Sequence, residues 1–287
     1  MSVTPEMPSG RCRVAALQMV SGPDVEANLD TARQLLEEAA AGGASLAVLP
    51  ENFACMPMRE QDRLAVAEDP GRGPIQNFLR RCAGDLGLWI VGGTLPLRDA
   101  AALPFSACLA YDATGALRAR YDKIYLFDVS LPSGAERYAE SAWAAAGHAR
   151  VVVDSPAGRL GLAVCYDVRF PELFRGMLDR GLQTIALPAA FTAATGRAHW
   201  ETLLRARAIE NLSWVIAAAQ GGRHANGRET WGCSMVVDPW GEIAARLDEG
   251  PGVVFTDIDF DRQAEIRQAF PALEHRLLQR DFEQDED

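Results

Sequence analysis

Apolar runs alternate with helical patterns along the first third of the chain. A short unbroken apolar run is typical of a buried strand, whereas apolar residues spaced three and four apart indicate a helix. The positions of Asp24 and of Gly42-Gly43 favour the start and the end of the first helix. The pattern predicts strands at Cys12–Met19, Ser45–Leu49 and Leu88–Val91, the last closed by Gly92-Gly93, and helices over 24–42 and Ile75–Leu86.

The rest of the chain continues this alternation after a hairpin. Asp112-Ala113-Thr114-Gly115 is a turn sequence between two apolar runs, and Leu126–His148 is predicted to be irregular. Pro171 suits the first turn of a further helix that ends at Gly181. The predicted elements are strands Phe105–Tyr111, Leu117–Tyr121, Val151–Val153, Leu160–Cys165, Thr184–Leu187, Trp214–Ala219, Met235–Asp238, Ile243–Arg246 and Val253–Ile258, and helices 171–181 and His199–Asn211.

Both halves of the chain contain strand–helix–strand units, with no Gly-, Ser- or Pro-rich linker between them. This pattern predicts a single α/β domain over residues 1–287. Strands this apolar need cover on both faces, so two sheets facing each other with helices outside would bury them. Residues 1–11 and 281–287 are predicted to be flexible tails.

Composition and charge narrow the class of partner. The chain has 28 basic and 39 acidic side chains, a net charge of -11. Nucleic acids and anionic membranes are therefore not expected as partners, because both require basic surfaces. No export signal or membrane-length apolar run is present, and the six cysteines form no Cys-x-x-Cys pair. We therefore predict a cytoplasmic protein with reduced thiols, without a metal or other cofactor.

Three apolar strands end on a reactive or ionisable side chain, namely Glu51, Lys123 and Cys165. Strand ends in α/β folds tend to line the functional crevice, so these side chains are expected to converge. A carboxylate can take the thiol proton, and an ammonium can stabilise the thiolate and later an oxyanion. Together they could perform acyl transfer without a histidine.

Each of the three residues also has an ordinary structural explanation. A cysteine after an apolar strand is usually a small buried hydrophobic residue. Glu51 after Pro50 could cap a loop, and Lys123 could be a solvated surface charge. Their common placement at strand ends favours the catalytic interpretation over these alternatives.

The sequence around each residue resembles a motif of the nitrilase superfamily, also called carbon–nitrogen hydrolases. The segment Cys165-Tyr166-Asp167-Val168-Arg169-Phe170-Pro171-Glu172 is similar to the nucleophile motif. Leu49-Pro50-Glu51-Asn52-Phe53 is similar to the glutamate motif, and residues 121–128, YDKIYLFD, are similar to the lysine motif. The three occur in the family's order, and the resemblance extends from Arg13 to Leu278.

The resemblance is strongest to the Nit branch of amidases, on four further segments. It implies an αββα sandwich, in agreement with the two-sheet prediction, and a homodimer or larger homo-oligomer. It also implies a second active-site glutamate, Glu140. Two positions depart from the pattern: Cys233 stands where Nit proteins usually carry histidine, and Ala146 where they carry proline. The four segments are 187–192 (LPAAFT), 195–201 (TGRAHWE), 205–211 (RARAIEN) and 234–241 (SMVVDPWG).

The resemblance further implies amide hydrolysis through a cysteine thioester, with release of ammonia. Glu51 would carry protons, Lys123 and the Tyr166 backbone N–H would hold the oxyanion, and Glu140 would orient Lys123 or the substrate. The implied substrate is a small aliphatic amide of the deaminated glutathione or ω-amide kind, which carries carboxylates. Arg169 and Arg197 are candidates to bind them. The candidate pocket residues that follow a strand end are Phe191, Thr192 and Thr195.

Three other functions remain open. The same residues could cleave N-carbamoyl amino acids or nitriles, which a substrate panel would separate from amides. The fold could also serve a catalytically silent binding or scaffold protein, which trapping of an adduct on Cys165 would exclude. A nucleotide-binding protein is disfavoured because the glycine fingerprint is missing.

Overall fold

The computed structural model describes residues 10–99, 101–131 and 137–277. Its first half contains three strands connected by helices, followed by a hairpin and a small two-stranded ribbon. Arg11 already belongs to the first strand, so the predicted N-terminal tail extends too far, while 1–9 and 281–287 lie outside the described residues. The elements are β1 (Arg11–Gln18), α1 (Val25–Ala41), β2 (Leu46–Val48), α2 (Pro74–Leu86), β3 (Trp89–Leu97), β4 (Phe105–Tyr111), β5 (Leu117–Asp122), β6 (Asp128–Ser130) and β7 (Arg137–Ala139).

The second half repeats the series of three strands connected by helices. A second short ribbon follows these strands, and the chain then returns to the first sheet before a last helix. The elements are β8 (Val151–Ser155), β9 (Gly158–Leu162), α3 (Pro171–Leu178), β10 (Thr184–Ala189), α4 (Ala193–Asn211), β11 (Trp214–Ala219), β12 (Gly221–Arg223), β13 (Glu229–Trp231), β14 (Ser234–Val237), β15 (Ile243–Leu247), β16 (Gly252–Asp259) and α5 (Phe260–Ala269).

The two six-stranded sheets have the same internal plan. One has the order β16-β1-β2-β3-β4-β5 and the other β8-β9-β10-β11-β14-β15. In each, three adjacent strands are parallel, one strand pairs antiparallel with them on one side, and two strands follow on the other side, each antiparallel to the strand before it. The two halves are therefore a structural repeat that the sequence pattern did not reveal. Glu51 follows β2 and Cys165 follows β9, so each half supplies one reactive residue at the carboxyl ends of its parallel strands.

The buried apolar side chains of the described residues form two clusters, one between the sheets that extends under α3 and α4 and one under α1 and α2, which confirms the predicted αββα architecture of two mixed sheets. Side chains alternate along β1, so Val14 and Ala16 join the cluster between the sheets while Ala15 and Leu17 join the cluster under α1 and α2. Both faces of this strand are buried, which explains its continuous apolar run. Among the helices of the described residues, none has the length and apolar character needed to cross a bilayer.

Several predicted elements need correction. Gly92-Gly93 does not close β3, which continues to Leu97 after a shift of register. The helix predicted from His199 begins at Ala193, because the Thr192 hydroxyl accepts a hydrogen bond from the Thr195 N–H and caps it. The segment 126–148 contains β6 and β7, and α5 was not predicted. The helix α5 has a weakly apolar face and is held through Gln263, whose amide donates to the Gln183 and Leu212 carbonyls.

Candidate active site

Glu51, Lys123 and Cys165 meet between the two sheets, as the strand-end pattern predicted. The Lys123 ammonium donates to Glu51 Oε1 at 2.9 Å and to Glu140 Oε2 at 2.7 Å. The Lys123 side chain is only 2% exposed, and both carboxylates are buried. The Cys165 thiol is also buried, and the charges of Glu51 and Lys123 both act on it. The structure thus brings four sequence-predicted residues together in one buried group.

Cys165 lies at a sharp change of backbone direction. It follows the strand β9, has φ of 48°, and begins a 3₁₀ turn over Cys165–Arg169. A positive φ is costly for a non-glycine residue and requires support from its surroundings. The Arg207 guanidinium supplies part of it by donating to the Val168 carbonyl at 2.8 Å.

The carboxylate of Asp167 joins the Cys165 turn to the lysine segment. It accepts hydrogen bonds from the Val164 N–H at 2.8 Å, the Tyr121 hydroxyl at 2.8 Å and the Tyr125 N–H at 3.1 Å. Burial raises the pKa of Asp167 to about 6, although the Lys123 charge and these hydrogen bonds oppose the rise. Asp167 therefore fixes the position of the nucleophile relative to Lys123.

We expect Asp167→Asn to lower the free energy of unfolding by about 1–3 kcal/mol, because one backbone N–H then faces an amide donor without an acceptor. The deficit should be largest below pH 4 and should shrink as pH rises through about 6. The sign follows from the raised pKa of Asp167. Between about pH 4 and 6 the folded wild type keeps the Asp167 proton that the unfolded chain has lost, so the free energy of unfolding of the wild type falls as pH rises. The asparagine variant has no such proton, so its free energy of unfolding does not change for this reason.

Urea unfolding at several pH values measures this difference. Asp154→Asn is the matched control, since the Asp154 side chain is 85% exposed and pairs with Arg159 at the surface. A deficit that is constant with pH would contradict the assigned role of Asp167.

Glu51 is positioned by close backbone packing. A Cβ on Gly93 would lie 1.9 Å from the Pro50 carbonyl oxygen, so only glycine lets β3 pass this close to the Glu51 segment. The next residue, Asn52, has φ of 59° and donates its N–H to the Thr94 hydroxyl at 3.0 Å. Gln220 donates to the Glu51 carbonyl at 3.2 Å. The carboxylate is therefore held on a constrained backbone.

The loop that carries Glu140 is attached to the lysine segment. Besides Lys123, Glu140 accepts hydrogen bonds from the Phe127 N–H at 2.8 Å and the Ser106 hydroxyl at 3.2 Å. Gly147 donates its N–H to the Lys123 carbonyl at 2.8 Å, and a Cβ there would lie 2.1 Å from the Asp122 oxygen. The loop that departs from the family pattern at Ala146 therefore still closes on the lysine strand.

The buried charges decide the resting protonation. Burial opposes ionisation of Glu51, but the charge and hydrogen bond of Lys123 outweigh it and hold the pKa of Glu51 below its usual range. Burial likewise opposes the charge on Lys123, yet Glu140 and Glu51 raise its pKa. Burial and then the Glu51 charge raise the pKa of Cys165 well above that of an ordinary thiol. The resting site therefore contains a thiol, a carboxylate that can accept its proton, and an ammonium.

These groups open into a cavity of about 160 Å³. Its walls are mixed, with aromatic rings and several arginines around the reactive centre. The Tyr125 and Phe170 rings stack at 3.7 Å behind it, and Tyr166 packs edge-on against Phe127 at 5.0 Å. The described lining residues are Glu51, Asn52, Glu60, Arg63, Lys123, Phe127, Arg137, Tyr138, Ala139, Glu140, Trp143, Cys165, Tyr166, Arg169, Ala190, Phe191, Thr192, Thr195 and Arg228.

A sequence profile described as "Carbon-nitrogen hydrolase" matches residues 13–268, most of the chain. The chain belongs to the carbon–nitrogen hydrolase family. It is accordingly an enzyme that hydrolyses carbon–nitrogen bonds other than peptide bonds.

Individual relatives agree with this assignment. The chain is 41% identical to a deaminated glutathione amidase of Yersinia enterocolitica, over 91% of this chain and 92% of the relative. It is 40% identical to the NitFhit fusion protein of Caenorhabditis elegans and spans 62% of that protein's length. The crystal structure of NitFhit superposes with a TM-score of 0.86, over 94% of this chain and 66% of that one.

A third structure bears on the cysteine. A mutant amidase from Nesterenkonia sp. AN1 superposes with a TM-score of 0.73 at 28% identity, over 90% of this chain and 99% of that one. That structure shows Michael addition of acrylamide at the active site cysteine. A reactive cysteine thus occurs in a relative of similar fold.

The predicted binding residues of this hydrolase fall into two groups. Arg169 and Phe191 line the cavity, and the Arg169 guanidinium lies 5.1 Å from the Phe191 ring and 3.3 Å from His199 Nδ1. Thr192 and Thr195 also line it, although their hydroxyls bond to each other at 2.8 Å in the α4 cap. Arg197 is exposed, with its guanidinium 5.9 Å from the Trp231 ring, and is not among the described lining residues. Its position does not support the predicted contact with substrate.

Cys233, the other departure from the family pattern, is also absent from the described lining. Its thiol lies 3.7 Å from Asp248 Oδ1, and its carbonyl accepts a hydrogen bond from the Trp200 indole at 2.9 Å. The change from histidine therefore affects contacts outside the described cavity wall.

Glu60, Arg63 and Arg228 form a polar group on the cavity wall that was not predicted. Arg63 and Glu60 lie in the connection after β2, and Arg228 lies in the β12–β13 turn. No motif surrounds these residues, and their separation along the chain leaves no local signal. Asn52, which accepts a hydrogen bond from Arg63, did stand within a recognised motif and could have been noted.

Proposed function

We propose that this carbon–nitrogen hydrolase cleaves a small, carboxylate-bearing aliphatic amide through a thioester on Cys165. The observation that carries the proposal is the buried group in which Lys123 bonds to Glu51 and Glu140, beside the Cys165 thiol. A cysteine, a base within hydrogen-bonding reach and a preorganised cation are what acyl transfer requires.

Acylation begins with proton transfer from the Cys165 thiol to Glu51 as sulfur attacks the amide carbonyl. Because the pKa of Cys165 is raised and that of Glu51 lowered, a free thiolate is disfavoured and proton transfer accompanies C–S bond formation. The Lys123 ammonium and the Tyr166 N–H hold the oxyanion, while Glu140 orients Lys123. Glu51 then protonates the departing nitrogen, the C–N bond breaks, and the acyl group stays on sulfur.

Deacylation uses the same groups in reverse. Glu51, again a carboxylate, takes a proton from water as the water oxygen attacks the thioester carbonyl. The C–S bond breaks, the Cys165 sulfur recovers its proton from Glu51, and the carboxylic acid leaves. In total, one amide and one water give one acid and one amine.

The relatives and the cavity together support the substrate class. Relatives named deaminated glutathione amidase are about 40% identical to this chain. Deaminated glutathione is an amide of a 2-oxo diacid with cysteinyl-glycine. The amine released from such a substrate is the dipeptide, whereas a primary ω-amide releases ammonia. Arg169 lies four residues after Cys165, on the cavity wall, and is placed to bind a carboxylate on the acyl part.

We expect Arg169→Gln to lower kcat/KM for 2-oxoglutaramate by about tenfold or more, through KM, because one charge-assisted hydrogen bond is lost. Butyramide, which has no carboxylate, should show no comparable loss. Steady-state release of ammonia measures both substrates. Arg197→Gln is the matched variant on the adjacent helix: an equal loss there would restore the sequence prediction and contradict the assignment to Arg169.

A panel that adds deaminated glutathione, an N-carbamoyl amino acid and an aliphatic nitrile tests the reaction itself. We expect turnover of the amides to exceed that of the other two classes. Preference for the carbamoyl compound or the nitrile, at equal concentration, would contradict the proposal.

A further inference from the structure

The cavity is basic although the chain is strongly acidic. Among the described lining residues, five are cationic and three are carboxylates, against a net charge of -11 for the whole chain. Two of the carboxylates, Glu51 and Glu140, are already paired with Lys123. Arg169 can neutralise one substrate carboxylate, and Arg63 and Arg228 supply further positive charge on the cavity wall.

That charge belongs to an arginine pair bridged by Glu60. Arg63 Nε donates to Glu60 Oε2 at 2.9 Å, and Arg228 Nη1 lies 3.4 Å from Glu60 Oε1. The side chains of Arg63 and Arg228 are 4% and 15% exposed, whereas Glu60 is 40% exposed. Two largely buried guanidiniums therefore share one carboxylate that is open to solvent.

Arg228 is incompletely satisfied in this arrangement. Its Nε is buried and has no hydrogen-bond partner in the described part of the chain. A buried guanidinium N–H without an acceptor is costly, and its planar fork suits a carboxylate bound through two oxygens. The guanidinium lies 4.8 Å from the Tyr138 ring, which limits its movement. Arg228 thus keeps one N–H whose hydrogen-bonding capacity is unused.

The pair is linked to the residue next to the carboxylate that protonates the departing amine. The leaving nitrogen faces Glu51, since that carboxylate protonates it, and Asn52, the next residue, accepts a hydrogen bond from Arg63. Arg169 instead follows the Cys165 turn, where the acyl group remains. Arg169 therefore lies near the residue that keeps the acyl group, and Arg63 near the residue that protonates the amine.

We propose that Arg228 and Arg63, bridged by Glu60, form a second carboxylate subsite, for a carboxylate at the far end of the departing amine. The inference rests on the proposed function and narrows its substrate class. It assigns the enzyme to amides whose amine half is a short peptide with a free C-terminus. Glu60 occupies the subsite in the empty enzyme and competes with the substrate carboxylate for Arg228.

Two substrates that share the acyl half test the subsite: deaminated glutathione and the same compound with a C-terminal carboxamide. The measured quantity is the ratio of their kcat/KM values, carboxylate over carboxamide. We expect Arg228→Gln to lower this ratio by about tenfold, the effect of one charge-assisted hydrogen bond. Glu60→Gln should raise it, because the competing carboxylate is removed.

Arg246→Gln is the matched control, because Arg246 also bridges two acidic side chains but is absent from the described cavity lining. Its ratio should equal that of the wild type. Thermal unfolding checks each variant, and Arg228→Lys, which keeps the charge, should retain part of the ratio if the glutamine variant fails to fold.

Three outcomes would overturn the subsite. The first is an unchanged ratio in Arg228→Gln with activity retained, the second is an unchanged ratio because both substrates lose activity equally, and the third is a lowered ratio in Glu60→Gln. A failure of the proposed function gives a different result, because the wild type would then cleave none of the amides. If only the subsite is wrong, the wild type still cleaves them.

Discussion

Cys165→Ala is expected to lower kcat for amide hydrolysis by at least about 10⁴-fold, because loss of a nucleophile removes the covalent pathway. The remaining Glu51 and Lys123 cannot form the thioester. Steady-state assays with 2-oxoglutaramate and deaminated glutathione measure the loss. Mass spectrometry of the enzyme quenched during turnover should show an acyl adduct on the wild type and none on the variant.

The fold should survive this substitution. Alanine at φ of 48° carries the same backbone cost as cysteine, and only one sulfur atom is removed from the cavity wall. Cys108→Ala is a suitable control, since Cys108 is buried in the strand β4 between the sheets and absent from the described cavity lining. Amidase activity in Cys165→Ala within tenfold of the wild type would exclude Cys165 as the nucleophile.

Lys123→Met should be damaging to both activity and stability. We expect kcat to fall by at least about 10³-fold, because the oxyanion loses its cation. The free energy of unfolding should fall by about 3–5 kcal/mol at neutral pH, because two buried carboxylates are left without a partner. Urea unfolding and steady-state kinetics measure the two effects.

The pH dependence gives this prediction its sign. Without the ammonium, burial raises the pKa of Glu51, so the folded variant binds more protons than its unfolded chain. Its free energy of unfolding should therefore fall as pH rises above about 4, whereas the lowered pKa of Glu51 in the wild type contributes stability that is lost only in acid.

A double variant separates this effect from simple loss of packing. Lys123→Met with Glu140→Gln removes one unpaired carboxylate, so part of the stability should return while activity stays absent. A loss of unfolding free energy in Lys123→Met that does not change with pH would contradict this account. A double variant that is less stable than Lys123→Met would contradict it as well.

The amino-acid composition also singles out Lys123. It is the one lysine in the 287-residue sequence, and the other 27 of the 28 basic residues are arginines. A surface charge in such a chain is ordinarily an arginine, so a lone lysine indicates a need for a compact ammonium. The buried position between two carboxylates, where a planar guanidinium would not fit the same contacts, explains that choice.

Local pattern predicted the elements that are long and apolar. The strands at β1, β4, β10 and β11 and the starts of α1 and α3 follow from apolar runs, Asp24 and Pro171. The local hydrophobic pattern gave wrong predictions where tertiary packing overrides it. Gly92-Gly93 suggests a strand end, yet β3 continues because only glycine fits against Pro50. The helix α5 has little amphipathic pattern and is held by side-chain hydrogen bonds to distant carbonyls.

The sequence alone determined the alternation of strands and helices and the three strand-end residues Glu51, Lys123 and Cys165. These follow from local periodicity and from the convergence of parallel strand ends. Only the tertiary structure decided that one ammonium bonds to two carboxylates, that Arg197 stays outside the described cavity wall, and that Arg228 meets Glu60 across 168 residues. The reason is physical: face-to-face packing of two sheets sets such contacts, and residues far apart in sequence carry no shared local pattern.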